Sequence, residues 1–290
     1  LEKHVQDDFF FTNFLPGSVA TVHSLTRVLS QSPIASLPKS VVKNIPLYSS
    51  IARPYKENGY KTYFVTSANG SWYNLASFIK HQYFDVTLDS HAINAAPSSD
   101  RGAWGIGDHY AFEKVYEILR ENDLKKIPTF VFILTVTNHP LYDTPKSYKP
   151  YPITISPQVA SMLNSDLNLH DMLSTYQYAN DALGKFVSAV KEDGSLSHKT
   201  IIGASGDHPH RGFNFAPSEL FYKYNVPFYL FVPSSILSNV KYKYDPKKFG
   251  SHRDIPRTLL EFSLSDTKYL YLGNNLLSPA SNVDFIGAHN

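Results

Sequence analysis

The sequence predicts an α/β fold: a doubly wound, mostly parallel sheet with helices on both faces. Three observations predict it. Strand-sized apolar runs alternate with helix-sized stretches along the chain, the order that builds a sheet through crossover connections. The apolar residues of those runs are continuous rather than alternating, as in strands covered on both sides. The 290 residues, 42% of them hydrophobic, are enough for one large core.

From the N-terminal side, a glycine-containing loop, Gly17-Ser18-Val19-Ala20-Thr21, leads into a helix predicted over 22–29. Residues 47–58 read as a helix closed by Gly59, where a C-terminal glycine belongs. A buried strand is predicted over 61–66 and a helix over 110–122. The longest apolar run, 130–136, is strand-sized and far short of the roughly 20 residues of a membrane span. Residues 145–157 are proline-rich and read as a surface loop. A long helix is predicted over 170–193, with Met172, Leu173, Tyr176, Ala179, Leu183, Phe186 and Val190 near a 3.6 period and Gly194 at its end. Residues 200–204 and 228–232 complete the set of buried strands. No repeat or low-complexity linker divides the chain, so one domain over 1–290 is expected.

Composition narrows function. The net charge is +2 with no dense Lys/Arg run, which argues against nucleic acid as a partner. The basic stretch 241–248 is spaced by Tyr and Asp and reads as a solvated loop; contact with anionic lipid headgroups is its rival reading. The 20 Tyr and 19 Phe read first as core filling. There is no cysteine, hence no disulfide, zinc–thiolate site or cysteine nucleophile. The opening residues, Leu1-Glu2-Lys3-His4 before Asp7-Asp8, carry no leader pattern.

Four segments can carry chemistry. Ser205-Gly206-Asp207-His208-Pro209-His210-Arg211-Gly212 comes directly after the strand predicted over 200–204, and ligands of open α/β sheets bind beyond the carboxyl ends of strands. Asp207 and His208 offer a hard oxygen and an imidazole nitrogen to one divalent cation, or form a polar turn around an Asp–His hydrogen bond. Thr21 stands near a helix N-terminus, where backbone N–H groups favour an anion. Its hydroxyl reads either as a nucleophile or, with Ser18, as an N-cap. Thr137-Asn138-His139-Pro140-Leu141-Tyr142 comes after the run 130–136; His139 reads as a phosphoryl contact, a proton donor to a leaving group or a structural residue. Gly250-Ser251-His252-Arg253-Asp254-Ile255 reads as a loop entering a helix near Asp254.

Together, and in order over about 1–260, these segments resemble the alkaline phosphatase–sulfatase superfamily, and within it the lipoteichoic acid synthase and phosphoethanolamine transferase branch. Phe10-Phe11-Thr12-Asn13-Phe14 and the Thr21 loop resemble the approach to that branch's nucleophilic threonine. Gly206-Asp207-His208 resembles its metal-binding turn, and Thr137-Asn138-His139-Pro140 its substrate-binding turn. Asp254-Ile255 through Thr258-Leu259-Leu260 resembles its late Asp-Ile-x-x-Thr-Leu-Leu motif, with His252 as in the phosphoethanolamine transferases. Gly70-Ser71-Trp72-Tyr73-Asn74 resembles the tryptophan-containing headgroup segment of lipoteichoic acid synthases.

The resemblance implies a three-layer αβα sandwich and a metal-dependent phosphotransferase. Thr21 is then the nucleophile and a metal ligand, and Asp207 and His208 hold manganese or zinc. His139 and His252 bind the phosphoryl group, and Trp72 and Asn74 contact a phospholipid or other phosphodiester headgroup. A glycan or lipid acceptor, a membrane anchor upstream and a place on the extracytoplasmic side of the cytoplasmic membrane are implied in the same way. Three departures accompany it. The family's first acidic metal ligand, at the end of an initial strand, has no counterpart, so a truncated first strand is expected. Asn74 stands where the phosphoglycerol branch has arginine. Ser30-Gln31-Ser32-Pro33 does not fit the formylglycine motif of true sulfatases, which disfavours sulfate-ester hydrolysis. Two alternatives stay open: a phosphodiesterase or phosphatase using the same site with water, and a catalytically silent binding domain.

Overall fold

A computed structural model describes residues 1–93, 97–163, 168–210 and 212–279. Eight strands are described: β1 (Phe9–Phe11), β2 (Phe14–Leu15), β3 (Lys61–Thr66), β4 (Val86–Leu88), β5 (Thr129–Leu134), β6 (Ile202–Ser205), β7 (Phe228–Phe231) and β8 (Gly250–Ser251). They form a parallel sheet in the order β4-β3-β5, a sheet in the order β1-β7-β6 and a parallel pair β2-β8. β1 and β6 both run antiparallel to β7 and so parallel to each other.

Helices cover both faces, which makes the three layers. Successive side chains of a strand point to opposite faces, and the core divides accordingly. Tyr63 and Val65 of β3, with Tyr229 and Phe231 of β7, pack against Ala111, Phe112 and Val115 of the helix Asp108–Leu124 and Ala182, Phe186, Val187 and Val190 of the helix Leu169–Glu192. On the other face, Phe64 meets Leu25 and Leu29 of the helix Thr21–Ser30. Phe228 and Leu230 meet Ile255 and Phe262 of the helix Asp254–Ser263. Each such buried side chain contributes about 1.5–3 kcal/mol against exposure, so the two-sided strands β3 and β7 anchor the sandwich.

Some expectations shift. β3 has the expected bounds, but β5 is half-buried throughout and β6 buries only Ile202. Both stand at an edge of their described sheets, with a partner on one side only. The helix predicted over 47–58 is shorter, Ala52–Glu57, and Gly59 has the left-handed φ of +80° expected there. In the long helix the buried stripe runs through Tyr178, Ala182, Phe186, Val187 and Val190, and Tyr176 is 52% exposed. Its end is made by Asp193, not Gly194: the Asp193 carboxylate accepts from the N–H groups of Ser195 and Leu196, both at 2.9 Å. Those bonds hold its carboxyl down at about 2.

One buried carboxylate organises the ends of the parallel sheet. Asp108 accepts from the Ser67 hydroxyl at 2.6 Å, from Val136 N at 2.8 Å and from Thr137 N at 3.2 Å. Burial pushes its carboxyl up, and these donors pull the other way. Asp108 thereby ties the turn after β3 to the turn carrying His139. Asp108→Ala strands these donors without solvent, at about 1–3 kcal/mol for each buried group left unmet. The expected loss of unfolding free energy is about 3 kcal/mol or more by denaturant titration; under about 1 kcal/mol means that water replaces the carboxylate.

Candidate active site

The site grows from the β2–β8 pair. These two-residue strands run parallel in the register Phe14↔Gly250 and Leu15↔Ser251, so the loops that leave them emerge side by side. Gly17 lies just beyond β2 and His252 just beyond β8. A side chain at Gly250 is excluded, because its Cβ would lie 2.8 Å from the Phe14 ring and 2.7 Å from Leu276. Asp254, at the start of the last described long helix, holds the loop by accepting from Ser251 N and Asn274 N, each at 2.6 Å.

His252 is 2% exposed and joins two loops. Its Nδ1 accepts from Gly17 N at 3.0 Å, so the proton of the neutral ring sits on Nε2. Nε2–H is then the donor to Gly206 O at 2.9 Å. The ring is thus a strut between the Thr21 loop and the Asp207 turn. Both nitrogens are engaged, Nδ1 by Gly17 N and Nε2 by Gly206 O with the Ser205 hydroxyl 3.3 Å away.

Burial pushes the ring down to about 4. Above about pH 6.5 the ring is neutral in both folded and unfolded chains. Between there and about 4 the unfolded chain takes up a proton that the folded one refuses, so stability falls as pH drops and then levels off. The loss from this group is on the order of 3 kcal/mol. His4, His109 and His210 are also pushed down, each mainly by burial, so the check is a difference. His252→Asn should lose less stability between pH 7 and pH 4.5 than the parent does; equal losses remove His252 from the account.

Thr21 is half-buried and is the first residue of its helix, not its cap. Ala20 occupies the cap position and no side chain caps the helix. The cap reading of Thr21 therefore does not hold. Ser18 is turned to His23, its hydroxyl 3.4 Å from Nδ1.

Asp207 and His208 stand at the turn after β6, with side chains 43% and 25% exposed. Nδ1 of His208 lies 2.9 Å from Pro209 O and must be the protonated nitrogen, which leaves a lone pair on Nε2. That lone pair lies 3.6 Å from Asp207 Oδ2. The gap is too long for a hydrogen bond and close to the spacing of two ligands each about 2 Å from a shared ion. The pair fits half of a divalent-cation site. No group of three or more His, Cys, Asp or Glu that could hold a metal occurs among the described residues.

The turn 137–142 reaches the same end of the fold. Tyr142 and His210 Nε2 are 2.7 Å apart, and Gly212 N donates to His210 Nδ1, so Nε2–H is the donor to the phenol. His139 is half-buried against Trp104, ring centres 4.3 Å apart. Trp104 Nε1 donates to Pro140 O at 3.0 Å, and Asn69 N donates to Trp104 O. Sequence reasoning misses Trp104, His210 and Asp108. Trp104 precedes a glycine in an irregular segment, and only His210's place in the Asp-His-Pro-His run could draw attention.

Trp72 and Asn74 sit farther along the loop after β3. Tyr73 and Asn74 have left-handed φ of 50° and 60°. Asn74 Nδ2 donates to Pro38 O at 2.8 Å, and Trp72 packs on the Phe64–Phe78 cluster. No contact among the described residues joins either to Asp207 or His208.

The sequence matches the family described as Sulfatase over residues 1–263. Among solved structures, a protein in the alkaline phosphatase superfamily from Vibrio parahaemolyticus superposes with a TM-score of 0.74 at 19% identity, over 97% of this chain and 64% of that one. The chain thus spans under two thirds of that protein. The lipoteichoic acid synthase LtaP from Listeria monocytogenes gives 0.70 at 19% identity, over 93% and 67%. The C-terminal periplasmic domain of EcEptC from Escherichia coli, in complex with Zn, gives 0.65 at 13% identity, over 96% and 79%. At these identities the likeness is one of fold.

Proposed function

The chain belongs to the sulfatase family, and from that premise we propose that it transfers a phospholipid-headgroup phosphoryl unit, of phosphoglycerol or phosphoethanolamine type, to an acceptor hydroxyl through Thr21. The observation that carries the reading is the strut Gly17–His252–Gly206, which couples the Thr21 loop to the Asp207–His208 turn. A nucleophile and a charge-stabilising pair must keep a constant separation, and a buried neutral ring does that.

In the first step a bond forms between Thr21 Oγ1 and phosphorus as the bond from phosphorus to the lipid alcohol breaks. The Thr21 proton passes to water, and the departing alkoxide takes one from His139, which regains it from the acceptor hydroxyl as that group attacks phosphorus in the second step. In the second step the acceptor hydroxyl displaces Thr21 and restores it. Thr21, Asp207 and His208 are the residues that would hold manganese or zinc, which supplies Lewis-acid stabilisation of phosphoryl charge when bound. Trp72 is assigned to the headgroup, with Asn74 contributing its side-chain carbonyl because its amide is held by Pro38. No helix of the described residues is long and apolar enough to cross a membrane. The proposed setting is the extracytoplasmic side of the cytoplasmic membrane, with a glycan or lipid acceptor. Sulfate-ester hydrolysis is set aside because the chain has no cysteine and no serine in the required motif.

The test is turnover of a headgroup-labelled phospholipid with manganese or zinc, with and without an acceptor alcohol, followed by mass spectrometry of the protein. A phosphoryl adduct on Thr21 and turnover that rises with acceptor are expected. Turnover indifferent to the acceptor makes the protein a hydrolase; no adduct and no turnover leave it a binding domain.

A further inference from the structure

Two cations beside the strut have no place in that scheme. Arg27 lies on the Thr21–Ser30 helix, and its stem covers Gly17: a Cβ added there would come 2.8 Å from Arg27 Cδ. Gly17 is the residue that donates to His252, and Arg253 is next to His252 in the chain. The two arginines therefore flank one short piece of backbone. Arg27 Nε is buried and has no hydrogen-bond partner. Among the described residues no carboxylate pairs with either guanidinium, whereas Arg53, Arg120 and Arg257 each have one. The carboxylate of Asp254, nearest in sequence, is occupied by the Ser251 and Asn274 N–H groups. Burial and the charge of Arg253 both push the Arg27 guanidinium down.

A half-buried like-charge pair with a stranded N–H is unfavourable unless something anionic completes it. Guanidinium groups take tetrahedral oxyanions through paired N–H bonds. We infer that Arg27 and Arg253 form a binding subsite for a phosphoryl oxyanion, beside the His252 strut and separate from the Asp207–His208 pair. Such a subsite would hold a phosphate other than the one under attack, or the product phosphate after transfer. The shared chemistry is a phosphate monoester or free phosphate.

The experiment is calorimetric titration of the whole chain with inorganic phosphate and, separately, glycerol phosphate, in chelator so that no metal contributes. Arg27→Met and Arg253→Met keep much of the stem packing and remove the charge. Each should weaken phosphate binding at least tenfold, about 1.4 kcal/mol. Arg27→Lys should fall between parent and Met, because it keeps charge without the planar fork. Asp207→Asn should not weaken binding. Tighter binding of glycerol phosphate than phosphate identifies a headgroup site, and equal binding a free-phosphate site. Phosphate binding that survives both Met substitutions, is lost in Asp207→Asn, or is absent from the parent overturns the inference. Circular dichroism of each variant keeps unfolding from passing as lost binding, and the Lys variant remains informative if a Met variant unfolds. Phosphate binding at the two arginines does not depend on Thr21 chemistry, so it stands even if Thr21→Ala still turns over.

Discussion

Thr21→Ala should abolish turnover while leaving the fold as stable as the parent. The hydroxyl caps nothing, since the cap position belongs to Ala20. Alanine is also the better helix former, by at most about 0.7 kcal/mol, so stability should hold or rise slightly. The rate effect is of another order. Removing the group that forms the covalent bond to phosphorus closes the two-step route, and the loss should be several orders of magnitude. Thermal unfolding and turnover of an aryl phosphodiester, measured on the same preparation, separate the two. Turnover within tenfold of the parent takes Thr21 out of the mechanism. Thr21→Ser keeps a hydroxyl and should recover part of the rate, which a purely structural role for the threonine methyl would not predict.

Asp207→Asn should remove metal binding with little effect on folding. The side chain is 43% exposed, and the amide oxygen of Asn can still accept from His208 N, as Asp207 Oδ1 does at 3.0 Å. What disappears is the charge that a divalent cation needs beside the His208 lone pair. Binding to the parent is expected to be weak, because three protein donors, one of them the neutral Thr21 hydroxyl, leave much of the coordination to water. Affinity for zinc or manganese should fall by more than the roughly 10- to 100-fold that loss of an outer-shell partner costs. Titration calorimetry reads it directly. Binding that is tight and indifferent to Asp207→Asn places the metal elsewhere in the protein.

Much of the layered architecture was legible in the residues. β3 and β7 are continuous apolar runs because both of their faces are buried, and burial on both faces is a property that composition records. The glycine after residues 47–58 was legible because a positive φ selects glycine. The long helix was legible as a helix, and its buried side in part: Met172, Phe186 and Val190 of the expected stripe are buried. Tyr176 fits the period and yet faces solvent, because a tyrosine satisfies the pattern in either place. β2 and β8 were not legible at all. Two residues have no period, and their pairing spans most of the chain.

The sequence alone determined the chemical vocabulary of this protein: a hydroxyl, a carboxylate, imidazoles and no thiol, each delivered at a strand end or a helix start by local hydrophobic pattern. Tertiary structure decided how that vocabulary is used. The parallel register of β2 with β8 set His252, expected from the sequence as a phosphoryl contact, between Gly17 and Gly206, where its ring joins the two loops. The same register set Arg27 and Arg253 beside that ring, and among the described residues no carboxylate pairs with either guanidinium. Neither outcome is encoded in a motif. Local sequence sets which groups a residue carries, but the partners that consume or free those groups arrive from more than 200 positions away, as Gly17 and His252 do.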